Sequence, residues 1–397
     1  MALTRKQIGQ RLREVREAIG YTQSQVADRL GMHRPTVSEI EAGRRAVSSE
    51  ELYRFAELYA TPVSVLLADP NPSVEAAVEV LYRRQGPERP ETKTAITSFV
   101  ERCRAERDLE KLLDLPPHSD TRPGYAASVP VDKWEAIHQG NRIAEQERRR
   151  LELGTEPVRG VIDLLERQGV RIGAITPLSG DALDGFYLET EELGPCVAVN
   201  PHEDDSWSGL RAVFTAAHEY AHWLLRDRQV EVFVFQPGDE DLLEVRANAF
   251  AAAFLVPPDG IRAYFDSAGM LRERRITHLS PGDVVRAMDH FGVSRLALLY
   301  RLMNLDLIDQ QTFETLRTFS VSGAANALGI RFSQRGNIGM RLPMLAILAW
   351  RKGLIGAGRA AELCELDIAK FKQLIREIGE EPEESPDSAL LGAAAVG

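Results

Sequence analysis

The stretch Ala216-Ala217-His218-Glu219-Tyr220-Ala221-His222-Trp223-Leu224-Leu225 constrains this chain more than any other, because it sets two imidazoles and a carboxylate inside an apolar run. Val213, Phe214, Ala217, Tyr220, Ala221, Leu224 and Leu225 recur at helical spacing, the pattern of a helix buried on one side. Histidines four residues apart lie one turn up the same face, so both rings reach one ion. The glutamate between them projects beside that ion, where it takes a proton from water in zinc peptidases. The bland alternative is a core helix whose histidines bond to their neighbours. It does not account for both histidines and the acid falling together, so a hydrolase is expected.

A catalytic zinc takes three protein groups and leaves one position for water. The best third candidate is Glu244, at the start of an alanine-rich segment whose Ala247, Phe250, Ala251 and Phe254 repeat at helical spacing. Small residues let this second helix approach the first, and Pro257-Pro258 ends it. Asp239, Glu240 and Asp241 are competing ligands from the preceding loop, although charge runs usually sit in solvent.

These elements resemble the ImmA/IrrE type of bacterial metallopeptidase. The matching pieces are Phe214-Thr215-x-Ala217-His218-Glu219-x-x-His222-x-Leu224-Leu225, Glu244-x-x-Ala247-Asn248-x-Phe250-Ala251 and Leu255-Val256-Pro257, with a lead-in through Pro157-Val158, Leu164-Leu165-Glu166, Gly169-Val170, Asp184-Gly185-Phe186 and Val197-Ala198-Val199-Asn200. The lead-in reads as a helix followed by short β-branched runs, which suits a small sheet beside the metal helices. The resemblance spans roughly residues 140 to 310. It implies His218, His222 and Glu244 as ligands of Zn2+, with Mn2+ possible, and Glu219 as the base. Tyr220-Ala221 inside the motif and the Phe254-Leu255-Val256 ending depart from the family pattern but remove no group the chemistry needs. Tyr264 and His278 are weaker candidates for stabilising the oxyanion.

A second signal lies near residue 1. Leu12-Arg13-x-x-Arg16, Gly20-Tyr21-Thr22-Gln23-x-x-Val26-Ala27, Leu30-Gly31, Val37-Ser38-x-Ile40-Glu41-x-Gly43 and Leu66-Leu67 succeed one another at helical intervals. Thr22 can cap one helix, Gly31 can turn the chain, and a second helix then buries Val37 and Ile40. This helix-turn-helix resembles the five-helix lambda-repressor-like (XRE) DNA-binding domain. The second helix of such a pair enters the major groove. Arg34, Thr36 and Ser38, with His33 before them, are expected to face DNA, Arg34 gripping guanine. Gln23, Arg44 and Arg45 are expected on the phosphate backbone.

The formal net charge of −11 over 397 residues argues against nonspecific nucleic-acid coating, so DNA binding falls to the locally basic start, where Arg5, Lys6, Arg11, Arg13 and Arg16 oppose Glu14. Cys103, Cys196 and Cys364 are too scattered for a disulfide framework or a thiolate zinc site and read as reduced structural thiols. No secretory leader or bilayer-spanning run is visible, so a cytoplasmic protein is expected.

Five segments are expected: an XRE-type DNA-binding domain at 1–68, a helical linker or dimerisation region at 69–135, the metallopeptidase domain at 136–310, a helical module at 311–379 and a disordered tail at 380–397. The fold class is therefore mainly α with a small β-sheet. In the linker, Val74 to Leu81 is amphipathic, and residues 92 to 114 form a helix with Ile96, Phe99, Val100, Cys103, Leu109, Leu112 and Leu113 on its apolar side. That helix pairs either between subunits of a homodimer or within one chain. Residues 116 to 130 read as a mildly disordered joint, and Arg148-Arg149-Arg150 as a solvated helix face. Residues 283 to 302 form two helices in which Arg286, Arg295 and Arg301 support the domain rather than touch nucleic acid, and residues 341 to 378 a small helical partner-binding module. The resemblances together imply a DNA-binding regulator that cleaves one specific protein, a repressor or antitoxin, to switch transcription under stress. The alternative is a repressor or antitoxin whose zincin-like domain senses metal or ligand, or holds a partner, without cutting.

Overall fold

A short sheet buried on both faces organises the half of the chain that carries the His218-Glu219-x-x-His222 motif. The computed structural model describes residues 4–18, 21–59, 63–67, 74, 77–78, 81, 90–115, 122–125, 127–175, 183–201, 208–227, 230–233, 241–332 and 338–378. Strands β1 (Arg171–Ala174), β2 (Gly185–Thr190), β3 (Gly194–Val199) and β4 (Val230–Phe233) form a sheet in the order β1-β3-β2-β4, with β1 parallel to β3 and the other pairs antiparallel. Register pairs Ile172 with Val197 and Phe186 with Ala198. Alternate side chains point to opposite faces. Tyr187, Val197 and Val199 therefore enter the main core, while Phe186, Leu188, Cys196 and Ala198 enter a second core on the other side.

The helix Ser208–Leu225 and the helix Leu242–Leu255 build the main core. All three polar groups of the motif, His218, Glu219 and His222, are fully buried there. Beneath them runs the helix Lys133–Arg150, whose Gly140 touches the backbone of Leu242–Leu255. A Cβ at Gly140 would stand 2.4 Å from the Arg246 carbonyl oxygen, so only glycine permits this crossing. Gly185 plays the same part between sheet and motif helix, where a Cβ would meet Thr215 at 2.5 Å. Leu242–Leu255 ends where expected, but Pro258 also opens the next helix, Pro258–Ser267, from its first turn.

The helix Pro90–Leu112 covers the second face of the sheet within the same chain. Its Ile96, Phe99, Val100 and Cys103 pack there with Val74, Ala77 and Leu81, so the expected linker residues belong to this core. Leu109 and Leu113 meet Leu342, Leu345, Ala346 and Ala349 of the helix Arg341–Arg351 instead. Leu112, expected on the apolar side, is 44% exposed. Cys103 and Cys196 are brought face to face: their mutual hydrogen bond, then burial, pushes the Cys103 thiol well up. All three cysteines are free thiols.

Three further expectations change. Arg148 is buried rather than solvated, donating to the carbonyls of Phe254, Leu153, Gly154 and Glu156, and Arg150 grips Glu147 at 2.6 and 2.8 Å. An isolated guanidinium inside a protein needs such acceptors. Within the expected joint, Tyr125 donates to Glu147 at 2.5 Å and Arg122 pairs with Glu189, so residues 122–125 are docked. Arg16 is buried too, as described below. The helices Pro281–Phe291 and Arg295–Asn304 appear as expected, the first with a Ser280–Asp283 capping box and Gly292 as left-handed cap. Arg301 is buried against the Val256 carbonyl and Asn141, Arg295 donates to the Phe319 carbonyl, and Arg286 pairs with Asp283. The tail at 380–397 lies outside the described residues. Among the described residues no helix is long and apolar enough to cross a membrane.

Candidate metal centre and DNA-facing helix

One helical turn separates His218 from His222, and their Nε2 atoms stand 3.1 Å apart. Glu244, in the first turn of Leu242–Leu255, brings one carboxylate oxygen to 3.0 Å from His218 Nε2 and the other to 3.5 Å from His222 Nε2. Taking one ligand atom from each, the three groups lie within 4.8 Å of one another, close enough to share one ion. Asp241, one of the competing acids, is the N-cap and accepts from the Leu243 amide at 3.0 Å. Asp239 and Glu240 lie outside the described residues.

Each imidazole is oriented from behind. His218 Nδ1 faces Asn248 Oδ1 at 3.1 Å, and His222 Nδ1 faces Asp227 Oδ2 at 3.2 Å. Asp227 is gripped in turn by Arg246, which also donates to Gln139 Oε1 at 2.9 Å and to the Ser128 carbonyl at 3.0 Å. Such outer partners fix which nitrogen carries the proton and leave the other to the metal. Burial pushes His218 down, toward the neutral form a ligand needs. Burial acts the same way on His222, but the Glu244 and Asp227 carboxylates outweigh it and hold that ring well up. Burial would raise Glu244, but His222 and then His218 outweigh it and hold the carboxyl far below its usual range.

Tyr220, the motif's departure from the family pattern, has its own task. Its ring is buried beside Trp223, Phe250 and Phe254, and its hydroxyl donates to the fully buried Glu147. The motif helix is thereby tied to the helix below it.

In the first fifty residues, the Thr22 capping box opens the helix Gln23–Leu30, Gly31 closes it in the left-handed region, and the helix Arg34–Glu41 follows with Val37, Ile40 and Glu41 buried. Arg16 of the helix Arg5–Ala18 holds Glu41 through two bonds of 2.6 and 3.0 Å, so it locks two helices together instead of adding to a basic surface. Gln23 donates to the same carboxylate at 2.8 Å, which places its amide inward. His33 and Arg34 are exposed, Thr36 and Ser38 half-buried on the same helix. Arg44 is exposed, whereas Arg45 pairs with Glu51 at 2.9 Å.

Comparison with known families finds two matches on this chain. Residues 7–68 match the family described as Helix-turn-helix domain, and residues 165–303 match the peptidase family described as IrrE N-terminal-like domain. The chain joins a helix-turn-helix domain to an IrrE-like peptidase-family domain. No curated protein matches it. Among solved structures, Bacillus thuringiensis PlcR in complex with the peptide PapR7 and DNA is 12% identical, over 94% of this chain and 92% of that one, with a TM-score of 0.16. ComR from Streptococcus suis is 15% identical over 95% and 92%, also with a TM-score of 0.16.

In the IrrE-like domain the structure brings His218, His222 and Glu244 together, with Glu219 on the same helix. The two oxyanion candidates are elsewhere. Tyr264 lies tilted against His290 at 4.7 Å and edge-to-face with Phe265 and Phe291, and His278 is exposed. Neither has a contact with the triad among the described residues. Asp227 and Arg246 were not visible as site residues: Asp227 stands five beyond His222, after the helix has ended, and no motif spacing marks it. Asn248 lay inside a quoted motif, and its role appears only when the two helices are seen side by side.

Proposed function

We propose that the protein is a DNA-binding transcriptional regulator whose IrrE-like domain is a zinc-dependent endopeptidase acting on one protein, a repressor or antitoxin. The observation that carries this reading is the convergence of His218, His222 and Glu244, with one ligand atom from each lying within 4.8 Å of the others, beside a buried Glu219. His218, His222 and Glu244 would hold the ion, and two nitrogens with one carboxylate suit Zn2+ and also Mn2+. When bound, the metal supplies Lewis acidity to water and to the scissile carbonyl. Glu219 accepts a proton at its carboxylate from the attacking water and returns it to the departing amine. Asn248 and Asp227 keep the imidazoles turned toward the ion.

His33, Arg34, Thr36 and Ser38 make the base-facing surface of this reading, and Arg44 contributes to backbone contact. Gln23 and Arg45 would reach phosphate only by leaving Glu41 and Glu51. A homodimer on a pseudo-palindromic operator completes it. The DNA-binding unit spans 1–68, and the helix Pro90–Leu112 is assigned to the peptidase unit rather than to a linker.

The test is incubation of the zinc-loaded chain with the products of neighbouring genes, alongside Glu219→Gln. A fragment that needs metal and disappears with Glu219→Gln is expected, while zinc content stays the same. If no product is cut but one co-purifies, the domain holds a partner without cleaving it; if Glu219→Gln cuts equally well, the base is another group.

A further inference from the structure

Five arginines line one cavity at the far end of the metal-bearing helix. The cavity, about 890 Å³, lies between Lys133–Arg150, the end of Leu242–Leu255, the start of Pro258–Ser267 and Arg295–Asn304. That volume lies within the range of small-molecule sites. From Glu244 to Ala253 on its wall is about 14 Å along the helix, so this is not the metal site.

The charge of the wall is unbalanced. Arg142, Arg148, Arg149, Arg262 and Arg301 face Glu145, Glu152 and Asp259. Arg149 is paired with Glu145 at 3.7 Å and Arg262 with Asp259 at 3.9 Å, both at the exposed rim. Arg148 and Arg301 are buried, and their hydrogen bonds go to carbonyls and to the Asn141 amide oxygen; no carboxylate meets either among the described residues. Burial pushes both guanidiniums down to about 10, and Arg262 presses Arg301 further the same way. Capping the last carbonyls of Leu242–Leu255 explains where the N–H groups go. It does not explain two uncompensated cations beside an open cavity, a setting that an anion would relieve.

The rest of the wall mixes apolar and aromatic groups with the polar Asn141, Thr155 and Asn304. Ile137, Pro257 and Leu305 line it with His138, whose ring lies 3.9 Å from that of the exposed Trp134 and is tilted 45° to it. Bases stack on such rings. We propose that this cavity binds a small organic phosphate, its charge toward Arg142, Arg262 and Arg301 and its ring toward His138 and Ile137.

Calorimetric titration of the full chain with inorganic pyrophosphate and with ADP tests it. Both probes are expected to bind saturably and in competition, ADP the more tightly because it adds the ring. Arg142→Ala/Arg262→Ala, at rim positions that leave the buried arginines in place, should weaken both by about tenfold or more with the thermal midpoint retained. Arg34→Ala should change neither. Absence of binding at millimolar probe, binding indifferent to the rim substitutions, or binding lost with Arg34→Ala would each overturn the assignment.

Discussion

Glu147 shows how a single buried acid reaches the motif without touching His218, His222 or Glu244. It accepts from Tyr220, Tyr125 and Arg150, three groups from three parts of the chain. Glu147→Ala would strand these donors, and a loss of about 2–4 kcal/mol in denaturant unfolding is expected. Asp227→Asn acts on a different quantity. It keeps the shape but loses the charge behind His222, and zinc affinity should fall about 10–100-fold in competition with a chromophoric chelator. His218, Glu219 and His222 were legible because one helical turn brings them together whatever surrounds them. Arg148 was misread for the complementary reason: in a run of three arginines nothing in the spacing says which one turns inward.

Between elements, the close approaches are the sensitive points. Gly140→Ala places a methyl against the Arg246 carbonyl, and the two helices must separate to admit it. The expected cost is about 1–3 kcal/mol in unfolding, with zinc affinity falling as well because Arg246 holds Asp227. A pH dependence arises at a second junction. Burial lifts Glu106 to about 7 and Glu166 to about 8, and Arg171 and Arg341 offset this only in part. Both native-state values lie above the ordinary carboxyl, so the folded state binds protons that the unfolded chain gives up, and stability is fully present below about pH 4.5 and lost as pH rises through 7 and 8. Glu166→Gln should therefore raise the thermal midpoint at pH 8 and leave it nearly unchanged at pH 5. Helical periodicity marked Ile96, Phe99 and Val100 as buried, but a period of 3.6 states only that a face is covered. The sheet that covers it, and the meeting of Cys103 with Cys196, come from pairings across almost a hundred residues that no local pattern encodes.

At the scale of the molecule, a net charge of −11 means that attraction to DNA depends on a few local groups rather than on the whole surface. Arg34→Ala should cost about 1–3 kcal/mol in mobility-shift titration against the operator and relax preference at one base pair. The two-part plan was legible because each part carries a dense local motif. The boundary between the parts was not, since the helix Pro90–Leu112 precedes the peptidase-family residues in sequence yet packs on their sheet.

That helix is also clasped by residues made much later: Glu110 is bonded to Arg341, 231 residues further on, and Leu109 and Leu113 are covered by Leu342 and Leu345. At a synthesis rate of about 5–20 residues per second, the end of the helix leaves the ribosome roughly ten to fifty seconds before its cover exists. During that interval its apolar side is open to other nascent chains. A truncation that removes the Arg341–Arg351 helix would make this exposure permanent, and aggregation during expression is its expected outcome.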